Sequence, residues 1–103
     1  MESYGRFVSY LKVRASVTRV NDTVVVEEGK SVTLFCDVTG TPSLNVFWIN
    51  SNSNELMKAG VTWTLPSISR NYSGEYKCIA SNTCGNDSKT TVNDVQCESL
   101  FIY

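Results

Sequence analysis

Histidine is absent from this chain of 103 residues, and proline and methionine occur only twice each. No apolar run approaches the about 20 residues that a membrane-spanning helix needs. Without histidine, a serine or cysteine nucleophile lacks its usual general base, and a mixed Cys–His zinc site cannot form. The four cysteines, Cys36, Cys78, Cys84 and Cys97, show no C-x2-C knuckle, so no metal ligands are expected. No paired carboxylates fall on inward or pocket-like positions, and Glu27 with Glu28 reads as a solvated turn. No glycine-rich loop opens a helix for a phosphate, so the chain is read as no enzyme and as holding no cofactor. A net charge of −1 argues against nucleic acid or an anionic membrane surface as the main partner.

What is present is a period of two. "SVTLFC" sets Val32, Leu34 and Cys36 on one face, and "GEYKCIA" sets Tyr76, Cys78 and Ala80 together with Lys77 and Ile79 opposite. "NVFWI" turns Val46 and Trp48 inward, and "VTWTL" does the same for Trp63 and Leu65. No window carries a helical apolar stripe. Turn signals recur between the strands: "EEGK", "TGTPS", "NSNSN", "KAG", "RNYSG" and "CGNDS". At this length the chain has room for one domain, all-β, a sandwich or a barrel. Cys36, Trp48 and Cys78, each on an inward face, form one buried cluster.

From about Val24 to Val95, the order Cys36, Trp48, "WTLPSISR", "YSGEYKC" and "ASNTCGNDS" resembles the immunoglobulin superfamily, and within it the intermediate-type domains of animal adhesion molecules and receptor ectodomains. The resemblance implies an antiparallel immunoglobulin-like β-sandwich of about seven strands. It places a buried disulfide on Cys36 and Cys78, a core tryptophan on Trp48 and a tyrosine corner on Tyr76, whose hydroxyl would bond the backbone a few residues upstream. Leu34 and Leu65 complete the expected core.

Three features depart from that pattern. Tyr72 stands where the family usually has an aspartate in an ion pair, so the floor of the sandwich must close another way. The stretch between Trp48 and Trp63 is short, which makes strand D short or missing. In "KTTVNDVQC", Val92 and Val95 break alternation and Asn93 sits where an apolar residue is usual, which predicts a bulge in the last strand. The ends divide the chain into residues 1–15, read as a remnant of a preceding domain or a flexible arm, residues 16–97 as the domain, and residues 98–103 as a tail. The opening "MESYGRFVSYLKV" has no apolar core or cleavage site of a signal peptide, so a secreted form of this sequence is expected to be a fragment.

Sequons at Asn21, Asn71 and Asn86 are candidate glycosylation sites, and together with the inward cysteine pair they point to an extracellular or cell-surface location. Two functions of different class follow: a protein-recognition or adhesion module, homophilic or heterophilic, flanked by further immunoglobulin-like domains; or a structural spacer, extracellular or of the intracellular muscle type. If Trp48 and Cys78 point inward, Phe47, Ile49 and Ile79 point outward beside Lys77, an apolar patch and candidate partner face. Cys84 and Cys97, at opposite ends of the last strand, are expected about 30 Å apart, too far to bond to each other.

Overall fold

The computed structural model describes residues 12–97. Eight strands follow one another: β1 (Val13–Val20), β2 (Val24–Glu27), β3 (Val32–Thr41), β4 (Asn45–Asn50), β5 (Leu56–Ala59), β6 (Thr62–Leu65), β7 (Gly74–Asn82) and β8 (Gly85–Gln96), with one turn of 3₁₀ helix at Arg70–Tyr72 before β7. They form a three-stranded sheet in the order β1-β3-β6 and a five-stranded sheet in the order β2-β8-β7-β4-β5. All pairings are antiparallel except β2 with β8, which is parallel.

The period-two faces become the two inner walls of a sandwich. Leu34 and Cys36 from β3, Trp63 and Leu65 from β6, Trp48 from β4, and Tyr76, Cys78 and Ala80 from β7 are all buried. Each large apolar side chain in this set contributes roughly 1.5–3 kcal/mol by leaving water. Cys36 and Cys78 are bonded across the sheets, with Cα atoms 6.4 Å apart. The Trp48 indole, buried beside them, donates to the Val61 carbonyl at 3.3 Å, so its one polar atom is satisfied.

Strand D is missing: among the described residues no strand pairs with the far side of β6. The chain between Trp48 and Trp63 instead folds into β5, which joins the other sheet beside β4, bringing the strand count to eight. The floor closes with rings rather than an ion pair. Tyr72 packs edge-on against Trp63 with centroids 6.3 Å apart, and Trp63 meets Tyr76 edge-on at 5.2 Å. The Tyr76 hydroxyl donates to the Tyr72 carbonyl at 3.1 Å, which is the expected corner. Burial, and secondarily Tyr72, pushes the Tyr76 phenol above its ordinary range.

Two expectations change. The bulge expected in the last strand is absent, since β8 pairs with β7 in unbroken register and turns Thr91, Asn93 and Val95 inward while Val92 faces out. Asn93, not a displaced valine, fills the apolar position. The irregularities lie in the pairing of β1 with β3 and of β4 with β5. The boundary after residue 15 falls inside β1, because Ala15 is 1% exposed and belongs to the core. Gly40 on β3 explains the close approach there: a Cβ would sit 3.0 Å from the Ala15 Cα, and its φ is +147°. Residues 1–11 of the expected remnant or arm, and the tail over 98–103, lie outside the described residues.

Candidate docking face

The outer face of the five-stranded sheet is built from the odd-numbered residues of β4 and β7 and the even-numbered residues of β8. In register, Phe47 lies opposite Ile79 and Ile49 opposite Lys77. On the other side of β4, Phe47 faces Ala59 and Ile49 faces Leu56. The four residues expected to share one face therefore do share it, as two adjacent rungs of the β4–β7 ladder.

Their exposure differs from expectation. Ile49 is only 8% exposed, flanked by Lys77 on one side and Leu56 on the other, so it is not an accessible contact residue. Phe47, Ile79 and Lys77 are half-buried. The exposed apolar side chains on this face are ones the alternation of β4 and β7 did not single out: Leu56, 61% exposed, and Val92, which pairs with Glu75. Leu56 was missed because β5 is short and irregular. Between Trp48 and Ile49 the register with β5 skips Met57, which packs toward the core and leaves Leu56 beside Ile49. Glu75, exposed, and Lys77 place opposite charges at neighbouring outward positions of β7.

The remaining candidates fall elsewhere. Cys84 and Cys97 are free and exposed, separated by the 12 residues of β8. Extended strand of that length covers about 40 Å, longer than expected from the sequence and far beyond disulfide reach. The Cys97 thiol sits 3.3 Å from an Arg70 guanidinium nitrogen, and Arg70 also pairs with Glu28 at 3.2 Å. Glu28 first, then Cys97, holds the Arg70 charge more firmly than in water. Asn71 lies in the 3₁₀ turn and Asn86 near the start of β8, both exposed, while Asn21 is half-buried at the end of β1.

Polar residues that sequence patterning passed over hold the two sheets in register. Asp87 accepts a hydrogen bond from the Val17 amide at 2.9 Å, tying β8 to β1. That amide, then the Ser88 amide, holds the Asp87 carboxyl below its usual range. Asn82 accepts from the Ala15 amide at 3.2 Å and donates to the carbonyls of Val13 and Thr41 at 2.7 and 3.0 Å. Asp87 lies inside the turn signal "CGNDS" and Asn82 just before it, and no local pattern marks either as a tie between the sheets.

A shallow groove of about 180 Å³ runs along the floor between Trp63, Leu65, Ile68 and Tyr72. Its lining offers hydroxyls but no carboxylate, amine or thiol, so it has no pair of groups suited to acid–base or nucleophilic chemistry. No cluster of three metal-ligating side chains occurs among the described residues.

Residues 16–82 match the immunoglobulin domain family. The chain is 39% identical over 80 residues to the mouse (Mus musculus) MAM domain-containing glycosylphosphatidylinositol anchor protein 2, covering 72% of this chain and 8% of that protein. It thus spans less than a tenth of this relative. Among solved structures, it is 26% identical to a chain in the complex of Dpr11 IG1 bound to DIP-gamma, with a TM-score of 0.73 over 84% of this chain and 49% of that one. It is also 26% identical to the I-band fragment I67–I69 of titin, with a TM-score of 0.73 over 82% of this chain and 33% of that one.

Proposed function

Because the chain belongs to the immunoglobulin domain family, we propose that it is a non-catalytic, extracellular recognition module that binds another protein through the outer face of its five-stranded sheet. The observation that carries this reading is the apolar row of half-buried Phe47 and Ile79, continued over the buried Ile49 to the exposed Leu56, on a face where alternation normally supplies polar residues. Lys77 and Glu75 border the row and would fix the orientation of a partner of mixed charge. The relative named for a glycosylphosphatidylinositol anchor, the Cys36–Cys78 bond and the three sequons support a place outside the cell. The much greater length of that relative supports one bead in a longer chain of domains.

The likeness to titin favours a second reading, a spacer whose task is length rather than binding. The two separate by experiment. Leu56→Asp and Lys77→Glu both alter exposed or half-exposed outer-face positions, so thermal stability should hold within a few degrees while association of bead-displayed domains falls. Undiminished association by the doubly substituted domain would remove this face as the docking site and leave the spacer reading.

A further inference from the structure

Of the three sequons, the structure assigns Asn71 and Asn86 as sites for N-linked glycan and withdraws Asn21, whose amide is a rung of the β1–β3 ladder that a sugar would break. The inference rests on the extracellular reading above for its cellular setting, but its physical content is local.

Asn21 stands where the chain leaves one sheet for the other. β1 ends at Val20, opposite Cys36 on β3, and β2 begins at Val24 in the five-stranded sheet. As the backbone turns away, the side chain continues the pairing. Its Oδ1 accepts from the Phe35 amide at 2.7 Å, and its Nδ2 donates to the Thr33 carbonyl at 3.2 Å. The Asn21 carbonyl meanwhile accepts from the Thr91 hydroxyl at 2.8 Å, so the crossover is pinned to both sheets.

Both side-chain bonds of Asn21 run to a single strand. They therefore use the edge of the amide on which Oδ1 and one Nδ2 proton lie side by side. An N-glycosidic bond replaces one Nδ2 proton by the sugar carbon and makes the amide secondary. The trans preference of such amides places that carbon on the Oδ1 edge, the edge turned toward β3. Glycan and ladder rung thus compete for the same hydrogen. If the sugar is present, the Thr33 carbonyl loses that donor, and the sugar carbon crowds the Oδ1 edge to which the partly buried Phe35 amide bonds.

Asn71 and Asn86 carry no such obligation. Both are exposed, their contacts pass through the backbone, as Asn71 N–H to the Ser69 hydroxyl and the Asn86 carbonyl to Arg14, and their side-chain amides bond nothing among the described residues. A bulky polar substituent at either position meets solvent.

The test has two arms. The chain is expressed behind a secretion signal in mammalian cells, and secreted material with Cys36 bonded to Cys78 is mapped after enzymatic deglycosylation in ¹⁸O water, which marks each formerly glycosylated asparagine. Label at Asn71 and Asn86 with Asn21 unlabelled is expected. Label at Asn21 in folded, disulfide-bonded protein would overturn the assignment, and so would its absence from both other sites. In the second arm, unglycosylated protein refolded with its disulfide is compared with Asn21→Gln, Asn71→Gln and Asn86→Gln in urea. Only Asn21→Gln should lower the folding equilibrium constant, on the order of tenfold for two lost hydrogen bonds. A neutral Asn21→Gln would show that the amide is no structural rung. Secretion failing with Cys36 and Cys78 reduced would count against the extracellular reading, while the refolded arm still reads Asn21 independently.

Discussion

Asn93→Val should stabilise this domain. Asn93 is 1% exposed on the inner face of β8, and neither its Nδ2 nor its Oδ1 has a hydrogen-bond partner among the described residues. Its own-strand inward neighbours are Thr91, whose hydroxyl is already committed to the Asn21 and Asp22 carbonyls, and Val95, which is apolar. Its cross-strand partners are Val24 on β2 and Gly74 on β7, and neither brings a polar side chain. A buried polar group left unpaired costs about 1–3 kcal/mol. Valine removes that cost, has one side-chain heavy atom fewer and so does not overpack, and suits a strand better than asparagine. For a domain of this size about 1 kcal/mol moves the melting temperature by roughly 4–8 °C, so a rise between about 4 and 24 °C is expected. Thermal melts and urea titrations of disulfide-intact protein would measure it. Asn93→Ala should gain less, because it also opens a void, and Asn93→Asp should lose stability by burying a charge. A lower midpoint for Asn93→Val, with the urea slope unchanged, would refute the reasoning: the amide would then be held by a hydrogen bond in solution.

Two further outcomes follow from the same structure. Reduction of Cys36–Cys78, which closes a loop of sequence separation 42, should cost about 4 kcal/mol on the chain-entropy account, a large share of a typical domain's stability; urea melts with and without reductant would show it, and coincident curves would refute it. Asp87 has a carboxyl pKa lowered in the folded state, so its contribution is present above the unfolded value near about 4 and is lost as pH falls through the folded one. Stability should drop across that acid window and drop less in Asp87→Asn, as followed by urea midpoints from neutral pH downward; equal acid sensitivity in both proteins would exclude Asp87 as a source.

Alternation made the walls of the sandwich legible, because a strand with one buried face must repeat its apolar residues every second position whatever it packs against. Cys36, Leu34, Trp48, Trp63, Tyr76 and Cys78 all lie where that period put them. The same period put Phe47, Ile49, Lys77 and Ile79 on one outer face, but it carries no information on what stands beside each strand. Ile49 is buried on that face because β5 joins the sheet with a skipped residue and sets Leu56 next to it, a pairing between segments whose register no local pattern records.

The sequence by itself therefore determined the two-faced strands, the buried cysteine–tryptophan cluster and a strand D that is short or missing, since each depends on local spacing. Only the tertiary structure decided that β1 begins at Val13 and closes the core with Ala15, that Asn93 sits inward without a bulge, and that Asn21 lends its amide to β3. Those are long-range matters: a polar side chain becomes a ladder rung, a cost to stability or a surface group according to which distant backbone groups reach it, and asparagine reads alike in all three settings.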